Sequence, residues 1–428
     1  NDSSKCFLVN YNRIKDVTKN WPKLMTSEED FPEINPEDII IDALFGIGLN
    51  RPPEGWVKEL IKYLNSKKSF KLAIDIPSGM YADQALGDAD AVLKASHTLT
   101  FQAPKLSFFL PETGKFVPYF EVLEIGLDPE YLHETEPLAQ VIAKPEAQQF
   151  YKQREKYAHK GDYGHTLIVA GSYGKMGAAV LSTKAAYKTG AGLVTAFVPE
   201  CGYDILQVSI PEAMTVTDKE DDLITAIKVD FEPTAIAVGM GIGTSGETVL
   251  ALDSLFSTTK SPLVLDADAL NCISENESLL KKLPELSVLT PHPGELKRLI
   301  GDWEDDFEKL EKTKNFAKKY NVIVVVKGAN TIVAVENRLY INTTGNPGMA
   351  TGGSGDVLSG MIAGLLSQGY DPLIASVFGA YLHGSAGNIA TQDIGFEALT
   401  ASDIIAHIGP AFLELFAPEA SEQETKNA

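Results

Sequence analysis

Asn346-Pro347-Gly348-Met349-Ala350-Thr351-Gly352-Gly353-Ser354-Gly355-Asp356 runs directly into Val357-Leu358-Ser359-Gly360-Met361-Ile362. Four glycines stand within the eight residues 348–355, so neither a stable helix nor a strand is expected there. Val357, Leu358, Met361, Ile362, Leu365 and Leu366 then recur at helical spacing, which predicts an amphipathic helix. A glycine-rich loop feeding a helix presents unpaired N–H groups and the positive end of a dipole, a setting that suits a phosphate. Asp356 falls where loop becomes helix. One reading makes it a first-turn capping carboxylate. The other starts from the repulsion between a carboxylate and an anion site, which implies a separate task. It makes Asp356 a general base for a hydroxyl that attacks the bound phosphate. The surrounding loop favours the second.

Strands ending in turns precede this loop. His165-Thr166-Leu167-Ile168-Val169-Ala170-Gly171-Ser172 reads as a strand entering a glycine turn, and Gly174-Lys175-Met176-Gly177-Ala178-Ala179 opens an alanine-rich helix. A P-loop reading fails there, because Met follows the lysine and the glycine spacing is too short. After the strand Ala235–Val238, Gly241, Gly243 and Gly246 satisfy a dinucleotide fingerprint, with Asp266 about 20 residues on. That short pattern does not account for the longer run at 346–360. Val264-Leu265-Asp266-Ala267-Asp268 is another strand with carboxylates at its end. Leu286 to Thr290 leads into Pro291-His292-Pro293-Gly294-Glu295, whose prolines and glycine fix a turn and aim His292 and Glu295 beyond the strand ends. Asn321 to Val326 is a β-branched strand ending in Lys327-Gly328-Ala329-Asn330-Thr331. His383, alone in an apolar segment, reads as structural, and 372–390 and 401–416 as closing helices. Turns that all follow strands converge on one edge of a parallel sheet with helices on both faces.

The front of the chain is shorter of signals. Cys6-Phe7-Leu8-Val9 reads as a short strand, Asp38 to Leu49 as a buried strand broken at glycines, and Trp56 to Tyr63 as a helix. Phe70 to Gly79 is a further strand ending in a turn. Asp42 and Asp75 stand at these strand ends, either as turn residues or beside a ligand.

A chain of 428 residues predicts two domains or three. The 37 basic and 58 acidic residues give a net charge of −21, which argues against nucleic acid or an anionic membrane as partner. Cys6, Cys201 and Cys272 are too few and too scattered for a disulfide framework or a zinc site, so a reducing, cytoplasmic compartment is expected. No apolar run approaches membrane-spanning length.

The run Asn346 to Gly360 closely resembles the signature of the ADP/ATP-dependent NAD(P)H-hydrate dehydratases, a family with a ribokinase-like fold. The match is long and ungapped. The resemblance implies a nucleotide-phosphate loop at Asn346, Pro347, Gly348, Met349, Ala350, Thr351, Gly352, Gly353, Ser354 and Gly355, with Lys327, Gly328, Ala329, Asn330 and Thr331 also on the nucleotide. It implies Ala178, Gly243, His292, Pro293, Gly294, Glu295 and Asp356 around the hydrated dinucleotide, with Asp356 catalytic. Asp42-Ala43-Leu44-Phe45-Gly46-Ile47-Gly48 and Asp75-Ile76-Pro77-Ser78-Gly79 resemble two motifs of the NAD(P)H-hydrate epimerase domain, often fused ahead of the dehydratase. By that likeness Asp42 and Ser78 contact potassium, while Gly46, Ile47, Gly48, Leu49, Asn50, Arg51, Pro52 and Asp75 contact substrate. Nothing upstream matches the family's Asn-Asn-Gly-Gly-Asp-Gly loop, so residue 1 is expected partway through a Rossmann-like epimerase domain whose site lacks a wall.

The expected layout is a partial epimerase-like domain at 1–128, a connection at 129–145, a dehydratase domain at 146–416 and a disordered acidic tail at 417–428. Expected ligands are hydrated NADH or NADPH and ADP or ATP with magnesium, in a homo-oligomer without nucleic-acid or membrane partners. The fused arrangement favours ADP. A ribokinase-like kinase of another small molecule would share the Gly-Asp site, and a non-catalytic binding protein would share the front motifs.

Overall fold

The structure, a computed structural model, describes residues 5–18 and 22–418. The chain separates between Thr135 and Glu136 into two units. In the first, α1 (Lys5–Val17), β1 (Ile39–Asp42), α2 (Gly55–Ser66), β2 (Phe70–Ile74), β3 (His97–Phe101), α3 (Pro111–Gly114), β4 (Phe120–Leu123) and α4 (Pro129–Glu134) follow in order. The four strands form a parallel sheet in sequence order, and α2 buries Leu60, Ile61 and Leu64 against Leu93. Cys6 to Val9, expected as a strand, is helical and lies within α1. Four apolar residues fit either period, and length settles the choice: the helix continues for 13 residues.

The second unit holds β5 (Gln140–Ile142), α5 (Lys144–Phe150), β6 (His165–Val169), α6 (Met176–Thr189), β7 (Leu193–Val198), α7 (Tyr203–Ser209) and β8 (Met214–Thr217). Next come β9 (Ala235–Val238), α8 (Gly246–Thr258), β10 (Leu263–Leu265), α9 (Asp268–Glu275), β11 (Val288–Leu289), α10 (Pro293–Ile300) and α11 (Asp306–Tyr320). The hairpin strands β12 (Ile323–Val326) and β13 (Ile332–Val335) lead to β14 (Arg338–Asn342), α12 (Ser354–Ser367), α13 (Pro372–Ile394), α14 (Ala401–Ala406) and α15 (Ile408–Glu414). The stretch 129–145, expected as a connection, therefore contains α4 and also β5, which joins the second sheet. Residues 419–428 of the expected tail lie outside the described residues.

Ten strands make that sheet, in the order β5-β14-β13-β12-β11-β10-β9-β6-β7-β8. Only β13 runs against its neighbours. Strands of this sheet read as continuous apolar runs because both faces are covered. Val264 belongs to the core shared with α12 and α13, whereas Leu263 and Leu265 belong to the core beneath α8 and α9. The chain lays β6, β7 and β8 outward in one direction, then returns to place β9 on the other side of β6. That reversal is a topological switch point, the place where open α/β sheets bind ligands beyond their strand ends.

Helix α12 crosses α6 at very close range. A Cβ at Gly360 would overlap the Ser182 carbonyl oxygen, and one at Gly364 would lie 2.8 Å from that of Ala186. Glycine at these positions lets the two backbones touch. No helix among the described residues is long and apolar enough to cross a membrane.

Candidate functional site

Asp356 is the third residue of α12, in its first turn. Gly353 precedes the helix at φ 88°, a conformation a side chain would strain, and the first-turn N–H groups after it have no acceptor within the helix, that of Ser354 donating instead to the Thr351 carbonyl at 3.4 Å. Burial, followed by the charge of Asp266, pushes the Asp356 carboxyl up to about 7, against a smaller opposing pull from Lys327; Asp268 adds to the rise. A carboxyl titrating near neutrality suits proton transfer at physiological pH.

The charges around it come from the ends of three neighbouring strands. Asp266 follows β10 and is 1% exposed. It accepts hydrogen bonds from Lys327 Nζ at 2.7 Å and from Ser359 Oγ at 2.7 Å. Ser359 Oγ is also 3.3 Å from Thr290 Oγ1, so β10, β11 and α12 share one buried network. Lys327, at the end of β12, lies 3.8 Å from Glu295 as well. Ala267 separates Asp266 from Asp268 at φ 49°, strained for a residue with a Cβ. Asp268 accepts the Gly243 N–H at 2.9 Å and faces Lys175 at 3.5 Å.

His292 caps α10. Its Nδ1 accepts the Gly294 N–H at 2.9 Å, and Glu295 reaches back to the His292 N–H at 2.8 Å. The Pro293-Gly294 pair therefore locks the turn, leaving Nε2 of His292 3.4 Å from Glu295 at a half-exposed position.

A cavity of about 860 Å³ opens beside this cluster. Its walls include His292, Lys327, Gly328, Ala329 and Thr331, then Asn346, Pro347, Met349, Ala350, Thr351, Ser354 and Gly355. Asn330 lies in the turn that carries Lys327, and Gly348, Gly352 and Gly353 complete the loop at 346–355. Asn346 donates to Asn388 and its side-chain oxygen accepts the Gly348 N–H, which fixes the loop's entry. Ala178 and Gly243 stand apart from this cavity, at the switch point. There Gly171 donates to Met240, Ser172 donates to Gly241, and Gly241 packs against Ala178. Asp356 follows the cavity-lining residues Ser354 and Gly355 on α12, and the charges of both Lys327 and Asp268 reach its carboxyl.

Two members of the site carry little sequence signal. His383 of α13, expected as purely structural, lines the cavity and contacts Ser354 Oγ at 3.3 Å. Burial pushes it down to about 4, so it is neutral at physiological pH. Gly379, Gly384 and Gly387 around it mark close backbone approach and are the signal that distinguishes this histidine. Asp266 stands in the sequence as one of two carboxylates at a strand end and as the acidic partner of a dinucleotide fingerprint. In the fold it binds a lysine 61 residues later.

The first unit brings together a second set of predicted residues. Asp42, 2% exposed at the end of β1, accepts hydrogen bonds from Ser78 Oγ at 2.6 Å and Ser78 N at 2.7 Å. Burial pushes its carboxyl upward, against these hydrogen bonds and one from the Leu44 N–H. Asp75 adopts φ 69°, pairs with Lys105 at 3.0 Å and lies beside Gly46. The Gly46–Pro52 stretch, with Ile47, Gly48, Asn50 and Arg51 among its residues, follows β1 and opens with a turn in which the Leu49 N–H donates to the Gly46 carbonyl at 3.3 Å.

Comparison with known proteins matches residues 166–410 to the NAD(P)H-hydrate dehydratase family and residues 4–107 to the YjeF-related protein N-terminus. The bifunctional NAD(P)H-hydrate repair enzyme of Moorella thermoacetica is 37% identical over 380 residues, covering 86% of this chain and 71% of that protein. Its Escherichia coli counterpart is 33% identical over 372 residues, covering 86% and 70%. Among solved structures, the ADP/ATP-dependent NAD(P)H-hydrate dehydratase of Bacillus subtilis, co-crystallised with ATP and Mg2+, is 28% identical with a TM-score of 0.57. That match covers 65% of this chain and 99% of the other. A ribokinase-like superfamily protein of Enterococcus faecalis gives 26% and 0.56, over 66% and 99% of the two chains.

Proposed function

Because this chain belongs to the bifunctional NAD(P)H-hydrate repair enzymes, we propose that its second unit dehydrates the hydrated cofactor at Asp356, using the nucleotide held by the 346–355 loop. Hydroxide leaves a nicotinamide ring poorly, and a phosphate leaves well. The hydroxyl of (S)-NADHX or (S)-NADPHX attacks the terminal phosphorus of ADP or ATP as Asp356 takes its proton, and AMP or ADP departs. Loss of the phosphate, pushed by the ring nitrogen, and of a ring proton then restores NADH or NADPH.

The observation that carries this reading is a carboxylate titrating at about 7 in the first turn of a helix whose preceding loop lines an 860 Å³ cavity. The Gly355 N–H at the start of α12 and the Lys327 ammonium receive the donor phosphates, and Gly328, Ala329, Asn330 and Thr331 the remainder of the nucleotide. Ala178, Gly243, His292, Pro293, Gly294 and Glu295 form the side that receives the hydrated dinucleotide. Among the described residues no group of three or more His, Cys, Asp or Glu side chains is placed to hold a metal. Magnesium would arrive on the donor phosphates and water, as this small and strongly hydrated ion usually does. Its charge offsets that of the phosphates when bound.

The test mixes the protein with (S)-NADHX, magnesium and either ADP or ATP, and follows the absorbance of reduced nicotinamide. Wild type should restore it with one donor preferred, ADP by the fused arrangement. Asp356→Asn should lose at least ~100-fold in kcat with little change in nucleotide affinity. An Asn variant within about threefold of wild type sinks the assignment of Asp356.

The first unit is the epimerase-like partner, with Gly46 to Pro52 and Asp75 on the substrate and potassium at Asp42 and Ser78. Support for the cation comes from Asp42 itself, a buried carboxylate whose partners among the described residues are the neutral donors Ser78 Oγ–H, Ser78 N–H and Leu44 N–H. A hard monovalent cation among these oxygens removes that imbalance.

A further inference from the structure

Lys327 poses a problem for the chemistry just described. An ammonium next to a catalytic carboxylate pairs with it, holds it ionised, and makes it a weak base. The Lys327 ammonium lies against the turn that carries Asp356: a Cβ at Gly355 would be 3.2 Å from Nζ. Yet its ion pairs are with Asp266 at 2.7 Å and Glu295 at 3.8 Å. Asp266 reaches the same spot, 3.6 Å from that Cβ position, and is fixed from behind by the Ser359 hydroxyl. A buried carboxylate, hydrogen bonds from the Ser359 hydroxyl at 2.7 Å and the Ala267 N–H at 2.9 Å, and a strained backbone at Ala267 are thus invested in placing one anion beside Lys327.

We propose that Asp266 is a positioning residue for dehydration: it claims the Lys327 ammonium, turning it toward the donor phosphates and leaving the Asp356 carboxylate free to take the substrate proton. Asp266 touches neither reactant. It acts through Lys327, and through its own charge on Asp356. The other groups facing this space are Asp268 at the start of α9, itself beside Lys175, Glu295 and His292 of the α10 turn, and neutral His383 of α13. The inference rests on Asp356 being the base.

The test is a cycle of four proteins, wild type, Asp266→Asn, Lys327→Met and the double variant, read as the pH profile of kcat/KM at subsaturating nucleotide, which reports ionisations of the free enzyme. Wild type loses activity with a limb near pH 7, the ionisation of Asp356. In Asp266→Asn the released ammonium pairs with Asp356, and the limb moves down by about a pH unit or more while the plateau falls. In Lys327→Met the Asp266 charge acts unopposed and the limb moves up. In the double variant the two effects offset each other, and the limb returns toward the wild-type position. A merely structural role for Asp266 lowers the plateau and leaves the limb in place. An Asp266→Asn limb within about 0.3 unit of wild type overturns the proposal. Should that single variant fail to fold, the double variant removes both charges of the buried pair together. A double-variant limb that coincides with that of Lys327→Met overturns the proposal equally. Asp356→Asn, assayed alongside, separates the two levels: if it stays active the base assignment fails, and if it is inactive the cycle judges Asp266 alone.

Discussion

At the scale of single residues, the burial of Asp356 trades stability for a carboxyl that titrates near neutrality. Folded, the Asp356 carboxyl titrates at about 7, against ~3.9 in an unfolded chain. Between those values the folded state binds the proton more tightly. The stability carried by the neutral form is therefore complete below about pH 4 and is lost as pH rises through 7. Asp356→Asn cannot ionise, so it should melt with wild type near pH 4 and above it at pH 8. After a discount for the solvent that reaches a half-buried carboxylate, the gain is on the order of 2 kcal/mol, or roughly 5 °C in Tm. Melting curves at the two pH values decide this, and equal Tm at pH 8 would count against the raised titration. The residue scale also divides what the sequence reveals from what it conceals. Asp356 is legible because glycines crowd around it within one continuous run. Asp266 is not, because its partners Lys327 and Ser359 lie 61 and 93 residues away, and no local spacing encodes a contact across strands.

At the scale of elements, α6 and α12 behave as one body. Each starts at a glycine-rich turn, α6 at the switch point and α12 after the 346–355 loop, and Gly360 and Gly364 let their backbones meet. Gly360→Ala should therefore cost at least ~3 kcal/mol, since neither backbone can yield without disturbing a loop at its end. Gly352→Ala is the control: its Cβ meets nothing within 4 Å, and stability should change by less than ~1 kcal/mol. Denaturant midpoints for the two variants measure the difference, and similar midpoints would mean the helices are free to part. Elements are legible where packing dictates composition. The fully buried β9 and β12 read as unbroken apolar runs, as a strand covered on both faces must. Cys6 to Val9 is not legible, because four apolar residues carry no period of their own, and only the residues from Asn10 to Val17 extend them to helical length.

At the scale of the molecule, two units with separate sheets imply two separable ligand responses. Potassium should raise the melting transition of the first unit, relative to N-methylglucamine at equal ionic strength, and leave unchanged the transition that ADP raises. Asp42→Asn should abolish the potassium effect alone. An equal potassium response in that variant would remove Asp42 from the cation site. The ten-stranded sheet carries a different consequence, one of timing. Val141 of β5 pairs with Ile341 of β14, and β6, early in the chain, lies beside β9 rather than beside a strand that precedes it. Contacts so distant along the chain form late. A growing chain carries α6 and its turn long before β14 and the 346–355 loop exist, so under the proposed chemistry it holds no partial site with which to cleave nucleotide to no purpose.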